Sequence, residues 1–305
     1  MTMNMTQEAV FAALTANDHQ VQLGLNGLYA RGAEFEEVVG AVARAFFARE
    51  RGEGDVRRLV IPPFITSERL RRTNYLSSMP HLAGEVETFQ GQDREHRRLI
   101  GALESGDGWE EHFSPSGLVA LPAVCENLYP LYAGTLEAPV RAGITSWCFR
   151  FEPSDDPMRM VSFRMAEEVY LGTPDGAERH RDDWRVKATD LYRQLELPVE
   201  CVEANDPFFG RAGKLLVGGQ ADEKLKQELA LRLYGDRLTA LASVNLHRSM
   251  FGEGFGISLP DGAVAHSSCV GIGLERTAIA LFAVHGMACA DWPAGVRDAL
   301  GLASH

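Results

Sequence analysis

Two strand-like runs joined by a turn-rich loop constrain the fold of this chain more than any other feature of its sequence. The runs cover residues 147–151 and 161–171, and the loop contains Pro153-Ser-Asp-Asp-Pro157. Short apolar and aromatic runs separated by Pro, Ser and Asp predict an antiparallel hairpin. Residues 35–46 carry apolar residues at helical spacing, and 271–286 is a long apolar run that predicts a closing helix. Because βαβ alternation is rare, we predict an α+β fold with an antiparallel or mixed sheet flanked by helices.

The charge balance limits the partners of the chain. It has 305 residues, with 30 Lys and Arg against 42 Asp and Glu, a formal net charge of −12. This balance argues against a free-standing nucleic-acid binder and against docking on an anionic membrane, because both need clustered cations. No linker divides the sequence, so we predict one domain over 1–305, with an N-terminal extension at 1–55 and an inserted element at about 206–236.

The cysteines and the apolar segments indicate the compartment. Five cysteines at irregular spacing form no C-x-x-C pair, and residues 1–24 contain no basic stretch followed by an apolar one. We therefore expect a cytoplasmic protein with reduced thiols. The apolar stretch 277–290 is short and contains His285, so it predicts a buried helix rather than a membrane span.

The hairpin brings charged and aromatic side chains together. Arg150 and Glu152 alternate on the first strand, whereas Arg159, Phe163 and Glu167 are spaced by four on the second and share a face. Guanidinium groups bind phosphate, a ring stacks on a base, and a carboxylate accepts from an amino group, so this surface suits a nucleoside triphosphate. The alternative is a solvated strand face on which Arg and Glu pair.

A glycine-containing segment precedes the last long helix. It reads Gly271-Ile-Gly-Leu-Glu-Arg276 and would allow a close backbone approach while supplying one more guanidinium group. The segment lacks the third glycine of a Rossmann fingerprint. A tight strand-to-helix turn without further function is the other interpretation.

Together these two segments resemble motifs 2 and 3 of class II aminoacyl-tRNA synthetases. Residues 149–167 match aromatic-Arg-x-Glu, loop, Arg-x-x-x-Phe-x-x-x-acidic, and residues 271–276 match Gly-apolar-Gly-apolar-Glu-Arg. The segment Ile61-Pro-Pro-Phe64 would lie near motif 1, a dimer-interface element that contains a proline. The resemblance therefore implies a class II synthetase-like catalytic domain and a homodimer.

The cysteines narrow this resemblance. Cys125, Glu167 and Cys269 occupy the positions of the zinc ligands in atypical archaeal seryl-tRNA synthetases and in their truncated bacterial relatives, the amino acid:carrier protein ligases. Segments 74–82, 206–211 and 265–276 are similar to those ligases. Two thiolates and one carboxylate would leave an open position on Zn²⁺ for the amino group of a small amino acid. Apart from the resemblance, each cysteine would be an inert core residue. Glu168 is the rival ligand, but strand alternation predicts that Glu167, and not Glu168, shares the face of Arg159 and Phe163.

The resemblance also implies roles in adenylation. Arg150 would neutralise charge on the α-phosphate of ATP, while Arg159 and Arg276 would hold the β/γ-phosphates and flank the adenine. Glu152 would bind the amino group of the base, and Phe163 would stack on it. Arg150 and Arg276 are accordingly the expected catalytic residues, and all five form the expected ATP site. A phosphopantetheine thiol on a carrier protein would then take the aminoacyl group.

A basic stretch is the expected docking surface for an acidic carrier. In the ligase family an inserted helix between motifs 2 and 3 docks the carrier. The candidate here is 222–234, in which the charged run 224–234 predicts a helix. A solvated helix with i,i+4 ion pairs is the alternative. The candidate docking residues are Arg211, Lys214, Lys224, Lys226 and Arg232.

The sequence leaves several further assignments open. Mg²⁺ is expected with ATP, with Glu253 and Glu275 as candidate ligands. Asn245 and His247 alternate on a predicted strand and would either line the amino-acid pocket or be satisfied core residues. Glycine and alanine are the favoured substrates, and the carrier is unspecified. The alternatives are an aminoacyl-tRNA synthetase or tRNA-modifying paralogue, disfavoured by the charge and the short N-terminus, and a non-catalytic regulatory paralogue.

Overall fold

The predicted hairpin lies near the centre of a large sheet. The computed structural model describes residues 6–50, 56–204 and 225–302. Its strands are β1 (Gln20–Gln22), β2 (Tyr29–Arg31), β3 (Arg57–Val60), β4 (Phe64–Thr66), β5 (Gly84–Phe89), β6 (Phe113–Ala120), β7 (Gly134–Thr135), β8 (Val140–Phe149), β9 (Ser162–Gly172), β10 (Glu200–Glu203), β11 (Lys226–Leu231), β12 (Thr239–Arg248), β13 (Ile257–Ser258) and β14 (His266–Gly273).

The helices follow the apolar patterns of the sequence. They are α1 (Gln7–Ala16), α2 (Ala33–Phe47), α3 (Ser67–Leu70), α4 (Tyr75–Ser78), α5 (Asp93–Ser105), α6 (Pro174–Gln194), α7 (Met250–Phe255), α8 (Leu274–His285) and α9 (Ala294–Leu300). In α2, Phe35, Val38, Val42 and Phe46 are fully buried, as their helical spacing predicts. Among the described residues, no helix has both the length and the apolar character that crossing a membrane requires.

Seven strands form the main sheet in the order β10-β11-β12-β14-β9-β8-β3. Only β3 pairs parallel to its neighbour, β8, so the sheet is mixed. β8 and β9 form the predicted antiparallel hairpin, in which Cys148 lies opposite Phe163. A smaller antiparallel sheet, β4-β6-β5, lies beside it. The predicted α+β architecture is confirmed.

The two faces of β9 have different neighbours. Helices α2, α6 and α8 pack against the main sheet and cover one face. Glu168 points to that side, where its carboxylate accepts from Arg141 Nε at 2.9 Å and bonds His180 of α6. Glu167, one residue earlier, points to the opposite face. The candidate site lies on that opposite face.

Two predicted helix positions are wrong. Gly271 and Gly273 belong to β14, and the closing helix α8 begins only at Leu274. Residues 226–231, within the predicted helix 224–234, form β11 instead. The charged sequence favours a helix locally, but pairing with β10 and β12 satisfies the backbone and buries Leu229 and Leu231. Gly235, with φ +61°, allows the turn that follows.

Candidate active site

A polar cleft of about 300 Å³ opens on the face of the sheet away from the helices. Its walls are formed by strands β9, β11, β12 and β14, the loop between β8 and β9, the segment around α4 and the first turn of α8. All five residues of the expected ATP site line this one cleft. These residues are Arg150, Glu152, Arg159, Phe163 and Arg276.

Backbone carbonyls hold two of these guanidinium groups in place. Arg150 lies just beyond β8, where its Nε donates to Pro122 O at 3.0 Å and its guanidinium lies 5.6 Å from the centre of the Phe163 ring. Arg276 donates from Nε to Met158 O at 2.7 Å and from Nη1 to Ala240 O at 3.1 Å. Fixed guanidinium groups need little reorganisation to meet an anion, which is what stabilisation of a phosphoryl-transfer transition state requires.

The other two charged residues of the expected site are more loosely held. Arg159 Nη1 lies 3.9 Å from Glu152 Oε1, and both side chains are partly exposed. At this distance the pair makes no short hydrogen bond. Both groups therefore keep donors and acceptors for a ligand.

The cleft is strongly cationic for an acidic chain. Its described lining contains three predicted arginines, together with Lys226 and Arg237, against Glu152 and Glu228. Burial, together with the nearby Arg150 guanidinium, lowers the pKa of Arg276. The like charges thus lie close enough to repel one another, and a polyanion would relieve this repulsion.

Beyond the cleft wall, two thiols and a carboxylate meet. Cys125, Glu167 and Cys269 are buried, and their sulfur and oxygen atoms all lie within 4.8 Å of one another. Gly271 connects the two regions, because it lines the cleft and pairs in register with Glu167. Cys125 comes from the 3₁₀ turn Val124–Asn127, and Cys269 lies on β14. The structure thus brings the three predicted metal ligands together.

The protonation of this cluster departs from that of ordinary thiols and carboxyls. A hydrogen bond with Cys125 lowers the pKa of Cys269, with help from His247 and Asn245, whereas the same bond and burial raise the pKa of Cys125. Burial and the nearby Cys269 raise the pKa of Glu167 to about 8. The Val124 N–H donates to Glu167 Oε1 at 3.3 Å, but Oε2 has no hydrogen-bond partner among the described residues. A bound cation would neutralise the negative charge of the thiolate and carboxylate and would provide a ligand-binding partner for Glu167 Oε2.

Asn245 and His247 of β12 both contact Cys269. Asn245 Nδ2 donates to the sulfur at 3.4 Å, and His247 Nε2 lies 3.6 Å from it. His247 Nδ1 is 3.2 Å from the buried Tyr129 hydroxyl and 3.2 Å from Ser267 Oγ. The arrangement fits the tautomer with the proton on Nε2, which would donate to the sulfur while Nδ1 accepts. Neither side chain is an isolated core residue.

The candidate Mg²⁺ ligands lie elsewhere. Glu275 Oε1 and Oε2 accept from Arg164 Nε and Arg164 N, both at 2.6 Å, on the helix-covered side. Glu253 accepts from Ser249 Oγ at 2.7 Å on the surface of α7. Neither lines the cleft, so the structure does not bring either carboxylate to the expected ATP site. Because the acidic residues of the cleft follow no spacing rule, sequence reasoning did not single out Glu228.

The proposed docking residues divide into three groups. Arg211, Lys214 and Lys224 lie outside the described residues. Arg232 is exposed and forms an ion pair with Glu200 of β10. Lys226 forms an ion pair with Glu228 at 3.3 Å and lines the cleft, so its position fits ligand binding better than carrier docking.

Two curated bacterial proteins are similar to almost the whole chain. Amino acid–[acyl-carrier-protein] ligases 1 and 2 of Bradyrhizobium diazoefficiens are 38% and 39% identical, over 93% and 92% of this chain and 87% and 85% of their own lengths. The chain belongs to the amino acid–[acyl-carrier-protein] ligase family. The predicted relationship to this family is therefore confirmed. No protein-family model matches the chain.

Solved synthetase structures share the fold. M. kandleri SerRS, in complex with A. aeolicus tRNASec, has a TM-score of 0.84 and 19% identity, over 98% of this chain and 61% of its own. Seryl-tRNA synthetase from Pyrococcus horikoshii complexed with ATP has a TM-score of 0.70 and 13% identity, over 96% of this chain and 62% of its own. The chain thus spans about three fifths of each synthetase. At these identities the likeness confirms the class II synthetase fold and nothing further.

Proposed function

We propose that this protein activates a small amino acid with ATP and transfers it to the phosphopantetheine thiol of an acidic carrier protein. The main support is the cationic cleft, whose five expected ATP-binding residues meet beside the Cys-Glu-Cys cluster. The names of the family members support a carrier protein as the acceptor. A seryl-tRNA synthetase of the same fold that was solved with ATP supports the nucleotide.

In the first step, an oxygen of the amino acid carboxylate attacks the α-phosphorus of ATP. The bond from that phosphorus to the bridging oxygen breaks, and pyrophosphate leaves. Arg150, held by Pro122 O, would stabilise the charge that develops on the α-phosphate. Phe163 would stack on the adenine, Glu152 would accept from its amino group, and Arg159 and Arg276 would hold the terminal phosphates. Mg²⁺ would accompany these phosphates.

In the second step, the carrier thiol attacks the carbonyl carbon of the aminoacyl adenylate. A carbon–sulfur bond forms, the bond from the carbonyl carbon to the phosphate oxygen breaks, and AMP leaves with the thiol proton passing to solvent. The proposed docking surface comprises Arg211, Lys214, Lys224 and Arg232. Lys226 is better assigned to the cleft, and charge reversal there should impair adenylation itself.

We assign Cys125, Glu167 and Cys269 as ligands of Zn²⁺. Their chemistry fits, because one thiol has a lowered pKa and Glu167 Oε2 is buried without a hydrogen-bond partner in the described chain. Bound zinc would provide an open coordination position for the amino group of the substrate. Asn245 and His247 would orient the sulfur of Cys269. The similarity to type-2 serine–tRNA ligases favours a small side chain, and we propose glycine or alanine as the substrate.

We further propose a homodimer formed through the region of β3. Val60 is 84% exposed and lines a shallow depression together with Trp147, and both Trp147 and Phe64 are also exposed. Exposed apolar side chains of this kind are typical of an interface. Sedimentation velocity would report a dimer, whereas a Val60→Glu chain would sediment as a monomer. A wild-type monomer at all concentrations would refute this part of the proposal.

Amino-acid-dependent ATP–pyrophosphate exchange without tRNA tests the function. Zinc-assayed protein should exchange with glycine or alanine, and a phosphopantetheinylated carrier should become labelled through a thioester. Charge reversal at Lys224 and Arg232 should reduce labelling and spare exchange. Cys269→Ser should lose both zinc and exchange. Absence of exchange with every amino acid would refute the proposed enzymatic activity. Labelling of tRNA instead of the carrier protein would favour an aminoacyl-tRNA synthetase.

A further inference from the structure

Arg237 is a cation of the cleft to which the sequence motifs assign no role. It lies in the turn between β11 and β12, lines the cleft, and has a side chain that is 51% exposed. Its Nη1 is 3.5 Å from Asp156 Oδ2, an ion pair longer than a good hydrogen bond. A guanidinium group carries five N–H donors, so one carboxylate oxygen leaves most of them available to a ligand.

The environment of Asp156 fixes its carboxylate beside this guanidinium group. It is 3% exposed, and its Oδ1 accepts from the Tyr234 hydroxyl and, at 2.9 Å, from Met158 N. Its Oδ2 has no hydrogen-bond partner in the described part of the chain and so directs its charge at Arg237. Asp156 belongs to the loop that joins β8 and β9, whereas Tyr234 and Arg237 belong to the β11–β12 turn. The contact therefore connects two walls of the cleft.

The position of Arg237 indicates which part of a ligand it meets. Asn245, beside Cys269, and Thr239, near the turn, are six residues apart on β12, which corresponds to about 20 Å along a strand. Arg237 therefore lies at the end of the cleft away from the metal-ligand cluster. An amino acid held at the cluster would bring the α-phosphate close to it, and the terminal phosphates would extend away from it. Arg276, which donates to Ala240 O beside Thr239, places a second cation at this end of the cleft and favours this direction for the triphosphate.

We propose that Arg237 is a further triphosphate-binding residue of this cleft and that Asp156 positions it. This inference depends on the proposed ATP-dependent function. Arg237 would contact the β- or γ-phosphate through bidentate N–H donors, and the charge of Asp156 would keep the guanidinium against the cleft wall. AMP has neither phosphate, so it would make no contact with Arg237.

Calorimetric binding of α,β-methylene-ATP and of AMP distinguishes this role from a structural one. The variant Arg237→Gln should bind the triphosphate analogue roughly tenfold to a hundredfold more weakly than wild type, because a charge-assisted hydrogen bond is lost. Its affinity for AMP should stay within about twofold of wild type. Arg232→Gln is the matched control, since Arg232 lies on the same turn, forms an ion pair with Glu200 and does not line the cleft. Its affinities for both nucleotides should match those of wild type.

The positioning role has its own test. Asp156→Asn should weaken binding of the analogue by less than Arg237→Gln does and leave AMP binding intact. Tyr234→Phe, which removes one hydrogen bond to Asp156, provides a milder variant should Asp156→Asn fail to fold. Equal losses for AMP and the analogue in Arg237→Gln, or no loss for either, would overturn the proposal. Pyrophosphate exchange by the wild-type protein is measured as an independent assay. If Arg237 contributes to ATP binding but the protein catalyses no exchange, the proposed adenylation function is refuted and the role of Arg237 is not.

Discussion

Replacing Gly271 with alanine should separate metal binding from folding. Gly271 lies on β14 opposite Glu167, in ordinary extended backbone that alanine can also adopt. A Cβ at this position would lie 3.1 Å from Glu167 Cγ and 3.1 Å from Met165 Cε. Both distances are below the separation of about 3.5–4.0 Å that carbon atoms prefer. Met165 can move its terminal methyl group, but Glu167 is confined by the N–H of Val124 and by the buried thiols.

The free energy of unfolding should change by no more than about 2 kcal/mol. The added methyl group contributes about 0.8 kcal/mol through burial, and loss of the glycine contributes about 0.4–1 kcal/mol through the unfolded state. Crowding costs about 1–3 kcal/mol. The net effect therefore lies between a loss of about 2 and a gain of about 1 kcal/mol. The affinity for zinc should fall by roughly tenfold to a hundredfold, because metal–ligand distances tolerate displacements of only about 0.2 Å.

Competition with a chromophoric chelator measures the zinc affinity, and thermal unfolding of the metal-free proteins measures stability. Gly273→Ala is the matched control, since it lies on the same face of the same strand and its Cβ would meet nothing closer than 3.6 Å. It should bind zinc as wild type does. If Gly271→Ala also keeps wild-type zinc affinity, the packing argument for Glu167 is refuted. A wild-type protein that binds no zinc would refute the metal assignment itself.

Two further predictions concern charges outside the cleft. Burial raises the pKa of Glu50 to about 7, despite its ion pair with Arg58. The stability that this group contributes is present below its unfolded pKa of 4.5 and is lost as pH rises through 7. The thermal midpoint of Glu50→Gln should therefore rise relative to that of wild type between pH 5 and 8. A difference in midpoint that does not depend on pH would contradict this. Arg141→Met should lower the free energy of unfolding, measured in urea, by about 3–5 kcal/mol, because it removes one partner of the fully buried Glu168. The exposed Arg193→Met is the control and should lower it by less than about 1 kcal/mol. Equal losses in the two variants would refute this distinction.

The sequence predicted the parts of the fold that depend on local pattern. The hairpin of β8 and β9 follows from two strand-like runs and a loop with two prolines, and α2 follows from apolar residues at helical spacing. The helix expected over 224–234 was wrong because its charges permit a helix, whereas pairing with β12 decides the outcome. Pairing of this kind is a tertiary effect and leaves no local signal.

The candidate site shows the same division. Spacing on β9 correctly separated Glu167 from Glu168, because alternate side chains share a face. No spacing rule could bring Cys125 and Cys269 to Glu167, since they come from different parts of the chain, and only the family resemblance did so. Arg237 was missed because a cation in a turn has no pattern of its own, and only the fold places it on the cleft.

The adjacent carboxylates of β9 make this strand intolerant of insertions and deletions. A shift of one residue would exchange Glu167 and Glu168 between the two faces of the sheet. The helix-covered face would then lose the partner of Arg141 and His180, and the cleft face would lose its carboxylate. A shift in register would therefore remove a stabilising buried ion pair and a site residue at once. Such a variant would be destabilised as well as inactive. An insertion in the loop before β9 should therefore cost less stability and activity than one in the strand itself.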